Sequence, residues 1–207
     1  MTHQQSNTPA SSGALRLFVA IHLPEEVKIA IAATQQELRK LLPPQSASWT
    51  RPENMHLTMR FLGNVDAVRL DELQQRLRIA IAEFGAVELI CERLGCFPDL
   101  RFPRVVWAWV HDAEDRLQSL SQRVESAVSP YAEKPGEERF TGHVTIARCK
   151  RISRSAAQTL AKFVEQAAAR QFGAWNATEV ELIQSELSST GSRYTTVARF
   201  DLREAKG

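Results

Sequence analysis

Two histidines in this chain, His56 and His143, are each followed two positions later by a threonine, Thr58 and Thr145, in the segments His56-Leu57-Thr58-Met59 and His143-Val144-Thr145-Ile146. Polar and apolar positions alternate, so on a strand the imidazole and the hydroxyl share one face and the apolar pair takes the other. With five His and twelve Thr in the chain, two chance His-x-Thr matches have a probability of about 3%, and requiring apolar residues at all four flanking positions lowers it to roughly 0.1%. Two such strands related by an approximate two-fold axis would aim both imidazoles into one groove. Opening a phosphodiester ring suits that arrangement. It needs one proton taken from water and another delivered to the leaving ribose oxygen, roughly in line across phosphorus. An unperturbed imidazole titrates near pH 6.5, so one His can be neutral while the other is protonated. The threonine hydroxyls can donate to the non-bridging oxygens as charge builds on them.

Rival chemistries lack residues. No HxH, HExxH or carboxylate cluster supplies third and fourth metal ligands, so neither a metal nor another cofactor is expected. There is no GxSxG nucleophile turn and no glycine-rich phosphate loop. Cys91, Cys96 and Cys149 form no CxxC pair and are read as reduced, mostly buried thiols. His22 and His111 at strand ends, and His3 near the start, have no threonine partner and are read as incidental.

The elements that must position the two motifs repeat along the chain. Residues 1–13 carry no apolar periodicity and are expected to be a flexible tail, followed by one folded unit over 14–207. An apolar strand at Leu15 to Leu23 leads, through Pro24 and the acidic Glu25 and Glu26, into a helix reaching about Leu42, which Pro43 and Pro44 end. A strand at Met55 to Leu62, closed by Gly63, is followed by helical spacing over Val65 to Phe84 and a strand at Val87 to Leu94. The second half repeats the order: strand at Val105 to Val110, helix at about Ala113 to Val128, strand at His143 to Ala147, helix at Ser153 to Arg170, strand at Ala177 to Ile183. Phe18 to His56 spans 38 positions and Trp107 to His143 spans 36, so an internal repeat, with halves at about 14–95 and 104–185, is the economical reading. A hairpin of Glu179 to Leu187 and Tyr194 to Leu202, turning through Gly191, completes the sheet content.

At 207 residues, 43% hydrophobic and with a formal net charge of +2, the chain excludes disordered and collagen-like classes, and any affinity for anions must be local. No apolar run reaches the roughly 20 residues a spanning helix needs, and the first residues do not resemble a signal peptide, so a cytoplasmic protein without membrane contact is expected. The basic residues are mostly arginine, which either reflects base composition or exploits the bidentate match of guanidinium to phosphate. The densest basic stretch, Arg148-Cys149-Lys150-Arg151 with Arg154, reads as a solvated strand end or as a phosphate contact. Strict alternation puts Arg60, not Arg148, on the histidine face, so a role for Arg148 requires a bulge after Thr145. In the loop from Gly95 to Arg104, Phe97, Arg101, Phe102 and Arg104 either pack beneath it or stack a terminal base and hold a phosphate.

Taken together these residues resemble the two-histidine (2H) phosphoesterases, and within them the bacterial RNA 2',3'-cyclic phosphodiesterases, also called 2'-5' RNA ligases. The resemblance covers nearly the whole folded chain. It runs through Arg16-Leu17-Phe18-Val19-Ala20-Ile21, Trp49, Pro52 to Thr58, Arg60-Phe61-Leu62-Gly63, Phe140, His143 to Arg148, and Gly191-Ser192-Arg193-Tyr194. It implies an α+β, bilobal, duplicated fold in which two antiparallel sheets flank a central groove with helices packed outside. It also implies a monomer that hydrolyses an RNA 2',3'-cyclic phosphate end to a 2'-phosphate without a metal, and that can join such an end to a 5' hydroxyl in reverse. By the same resemblance His56 is the proton donor, His143 the proton acceptor, and Thr58, Thr145 and Arg148 hold the phosphate. The residues themselves leave the order of acid and base open. They also admit a module that captures RNA ends or nucleotides without turnover, or a phosphodiesterase for small cyclic nucleotides. Two departures from the family pattern stand out: Met59 replaces a usual leucine, a volume-conserving change, and Gly142 stands where proline is common, implying a looser approach to the second motif.

Overall fold

The apolar run after the tail forms strand β1 (Ala14–His22), whose Leu17, Val19 and Ile21 face the main core while Phe18 and Ala20 are buried on the opposite side. The structure is a computed structural model and describes residues 13–136, 139–150, 152–188 and 191–202. The expected tail except Gly13, together with Arg151 and the centre of the last hairpin turn, lies outside the described residues. Helix α1 (Glu25–Leu41) starts after Pro24, carries Glu25 and Glu26 in its first turn and Arg39 and Lys40 in its last, and so has charges of the favourable sign at both ends of its dipole. Strands β2 (Ala47–Trp49) and β3 (His56–Asp66) follow, then α2 (Leu70–Ile81) and β4 (Val87–Phe97). The second half supplies β5 (Val105–His111), α3 (Arg116–Val128), β6 (His143–Cys149), α4 (Arg154–Gln166), β7 (Gln171–Ala177) and the hairpin β8 (Glu179–Ser188) and β9 (Gly191–Asp201).

Among the described residues these strands form one curled antiparallel sheet in the order β7-β4-β5-β6-β3-β1-β8-β9, with β2 also paired to β6. The curl comes from its middle. β3 and β6 share one bridged pair, Leu57 with Val144, whereas the pairs on either side run for many residues. Two lobes therefore meet along a seam one residue pair long. The β7-β4-β5-β6 lobe is backed by α1 and α4, and the β3-β1-β8-β9 lobe by α2 and α3. Each sequence half lends a strand to the other lobe, β4 pairing with β5 and β8 with β1.

Gly63 does not end β3. With φ of +79° it sits beside a register shift and lets the strand bulge and continue to Asp66. The helical spacing at Val65 to Phe84 accordingly narrows to α2. The strand expected at Ala177 to Ile183 is two strands, β7 and β8, parted at Thr178. β7 has no clear signal in the sequence because Gln171, Gly173 and Asn176 are poor strand formers, and it survives as a half-exposed edge paired only with β4.

Candidate functional site

The bridge between Leu57 and Val144 decides how the two motifs meet. Both residues are fully buried, so the positions that alternate with them, His56, Thr58, His143 and Thr145, all lie on the opposite face, half-buried along one groove. Antiparallel register then sets Thr58 across from His143 and His56 across from Thr145.

Each imidazole is held by the same backbone device. His56 Nδ1–H donates to the carbonyl of Asn54 at 2.8 Å and His143 Nδ1–H to that of Thr141 at 2.7 Å, each acceptor two residues upstream. The tautomer is thereby set, and Nε2 of each ring is the nitrogen left for chemistry. Aromatic rings fix the planes. Phe18 and Tyr194 lie 4.8 and 5.4 Å from His56, and Phe97 and Trp107 lie 5.0 and 6.3 Å from His143, centroid to centroid.

Burial pushes the His56 imidazole down to about 4, against the Asn54 hydrogen bond, with the charges of His143, Arg148 and His22 adding to the depression. His56 is therefore neutral at pH 7. That His143 and Arg148 act on it electrostatically places all three in one neighbourhood. His22, cross-strand from His56, is also lowered by its own burial and by Lys28, whose Nζ lies 3.1 Å from its ring.

Arg148 reaches the groove face through a bulge. Val106 pairs with Ala147 and Trp107 with Thr145, so Ile146 is skipped, Ile146 and Ala147 are both buried, and Arg148 turns outward. Gln35 supports this bulge. Its buried side-chain amide reaches from α1 to donate to the carbonyls of Ile146 at 3.0 Å and Thr50 at 2.7 Å. Asn54 plays a similar part on the other side, its carbonyl holding His56 while its side chain clamps the Ser192 carbonyl at 2.9 Å. Sequence reasoning misses both Gln35 and Asn54, because a lone helix glutamine or loop asparagine has no periodic signature.

Arg60 borders the cavity that holds Thr58 and His143, but it pairs with the core-facing Val19 and is engaged, ion-paired with Glu125 and bonded to the carbonyls of Phe61 and Lys134. Phe97 packs at His143, whereas Arg101 and Phe102 line a separate depression against α4 that contains neither motif. His111 is paired with Glu92 and stacked on Trp109. All three cysteines are free thiols; burial pushes Cys91 and Cys96 up to about 12 and raises Cys149 as well, so none is a ready nucleophile. Gly142 is not loose. Its carbonyl accepts from Val110 N at 2.9 Å, and a Cβ there would collide with the Val110 carbonyl. Among the described residues no three His, Cys, Asp or Glu side chains cluster as metal ligands.

The description of the LigT-like phosphoesterase family matches this chain twice, over residues 21–107 and 109–194, one motif in each stretch. The chain belongs to that family. Among its relatives, the RNA 2',3'-cyclic phosphodiesterase of Thermus thermophilus is 32% identical over 202 residues, covering 93% of each chain. The one from Aquifex aeolicus is 30% identical over 155 residues, 74% of this chain and 81% of that one. The crystal structure of the Thermus thermophilus protein TT0787 matches with a TM-score of 0.72 at 27% identity, over 92% of this chain and 99% of that one. Escherichia coli LigT complexed with phosphate matches at 0.69 and 25% identity, over 93% and 100%. The curled antiparallel sheet, the helices and the duplication are thus those of the LigT-like phosphoesterase fold.

Proposed function

We propose that this LigT-like phosphoesterase is an RNA 2',3'-cyclic phosphodiesterase that hydrolyses a 2',3'-cyclic phosphate end to a 2'-phosphomonoester. The observation that carries the reading is the meeting of two His-x-Thr segments at the Leu57–Val144 bridge, each imidazole anchored through Nδ1. The names of the relatives support the substrate. His143 takes a proton from the attacking water as the water oxygen bonds to phosphorus. The bond to the 3' oxygen breaks, and that oxygen receives the proton of His56. Thr58 and Thr145 donate to the non-bridging oxygens, and Arg148 offsets their charge.

His56 is neutral at pH 7, so the donor role requires it to take up a proton as substrate binds. Part of its depression comes from the positive charge of Arg148, and an anionic phosphate set beside that guanidinium offsets this part. The same groups run the reverse joining of such an end to a 5' hydroxyl. The reading includes a monomer acting in the cytoplasm; among the described residues no helix is long and apolar enough to cross a membrane.

An oligonucleotide with a 2',3'-cyclic end, incubated with the protein in chelator, tests this. Product bearing a 2'-phosphate is expected. A tight complex of unaltered oligonucleotide would make the groove a binding module, and turnover confined to small cyclic nucleotides would displace RNA as the substrate.

A further inference from the structure

Phe61 faces the wrong way for an apolar strand residue. Counting from the buried Leu57 and Met59, an unbroken β3 would turn Phe61 into the same core. Its pairing with β1 is broken twice: Ala20 pairs with Thr58, Val19 with Arg60, Phe18 with Phe61 and Leu17 with Gly63, so Met59 and Leu62 are both skipped. The shift at Met59 turns Phe61 onto the groove face, opposite Phe18 at 5.6 Å between centroids, and the shift at Leu62 restores the alternation after it; Phe61 is left 52% exposed while Phe18 beneath it is 1% exposed. Bulges beside functional sites commonly re-aim a side chain, and here the re-aimed ring borders both cavities beside the histidine groove.

Two cavities share Phe61. One, of about 340 Å³, holds Thr58 and His143 together with side chains of α3, and the formal charges among its described lining residues, Arg60 and Glu125, are paired with each other. The other, of about 620 Å³, is lined by Arg16, Phe18, Phe61, Lys134, Arg148 and Tyr194 among others. Among the described residues Arg16, Lys134 and Arg148 make no direct ion pair; the Glu133 carboxylate in the same lining accepts from the backbone and side-chain amides of Asn64 at 2.9 and 2.7 Å and feels the charges of Arg16 and Lys134. Of the two cavities, the second therefore carries the excess of positive charge among the described residues, Arg16, Lys134 and Arg148 against Glu133, that a polyanion leaving the histidines would meet.

We propose that the larger cavity is a nucleotide subsite in which Phe61 stacks the last base of the strand and Arg16 and Lys134 hold the phosphodiester on its 5' side. This rests on the reading of the groove as a site for RNA cyclic ends. Base-on-aromatic stacking tolerates any base and is lost on truncation of the ring, and phosphate contacts add salt dependence.

The test compares a nucleoside 2',3'-cyclic phosphate, which lacks a 5' phosphate, with a dinucleotide carrying the same cyclic end. Phe61→Ala should raise KM about tenfold for both, and Phe61→Trp should restore it. The Arg16→Gln, Lys134→Gln double variant should lower the dinucleotide-to-mononucleoside ratio of kcat/KM about tenfold and flatten its dependence on salt. Equilibrium binding of a dinucleotide already ending in a 2'-phosphate gives a readout independent of turnover, and should weaken in both variants. Wild-type protein that binds the product but turns over neither substrate would refute the assigned reaction and leave the subsite standing on its binding data. Variants whose KM, ratio and product affinity equal those of the wild type would overturn the subsite.

Discussion

The two imidazoles share a backbone device and differ in what surrounds it. Each donates from Nδ1 to a carbonyl two residues upstream. His56, however, sits between Phe18 and Tyr194 with Arg148 nearby, and its Asn54 carbonyl belongs to a residue whose side chain is tied to the last hairpin. His143 is met edge-on by Phe97, and the residue before it is a glycine pressed against the Val110 carbonyl. One motif is thus seated by carbon and charge, the other by close backbone approach. In a duplicated plan, altering only the neighbours of one copy is enough to depress the proton affinity of its imidazole, as at His56.

The hardest way to break the comparison is to remove either ring. His56→Ala and His143→Ala should each lower turnover by about 10² to 10⁴, with the double variant little worse, because the two act as a unit. Single-turnover assays check this, and an unaltered rate in either single variant would dissolve the pairing.

The next effect is confined to His56. In the unfolded chain its imidazole takes a proton near pH 6.5 and in the folded chain only near 4, so between these values the unfolded state binds more protons. Its contribution to stability is complete above about pH 6.5 and is lost as pH falls toward 4, by at most about 3 kcal/mol. Urea titrations across that range should show the loss, and His56→Asn should flatten it. Calorimetry of product or substrate-analogue binding near pH 7, repeated in buffers of different ionisation enthalpy, should register proton uptake. No net uptake would favour His56 as the base instead.

On the other side, Gly142→Ala should cost about 1–3 kcal/mol of stability, since the added methyl meets backbone that cannot step aside, and should lower turnover by misplacing His143. The smallest effect is expected at Gln35. Gln35→Leu leaves the carbonyls of Ile146 and Thr50 without that donor and loosens the bulge that aims Arg148, costing about 1–2 kcal/mol. It should raise KM more than it lowers kcat. A fall in kcat alone would mean that the bulge positions His143 rather than Arg148.

Much of this site is readable in the sequence because its signal is local. Alternation in His56 to Met59 and His143 to Ile146 names the groove face without any coordinates, and the same alternation states that Arg148 can join it only through a bulge after Thr145, where one occurs. What escapes is non-local. The bulges at Met59 and Leu62 depend on the register with β1, the amide of Gln35 acts across 111 positions of sequence on Ile146, and β2 and β7 hold strand geometry through their partners more than through composition. The crossing of β4 and β8 between lobes is equally invisible, because hydrophobic periodicity gives the face of a strand but not its neighbour.

That crossing has a consequence for the chain as a physical object. A cut in the loop between β4 and β5 would separate one His-x-Thr segment from the other, yet each fragment would carry a strand whose hydrogen-bonding edge belongs in its companion. Neither piece could satisfy its own backbone while alone, so the two would have to find one another to fold, in the manner of clasped hands rather than of two fists set side by side.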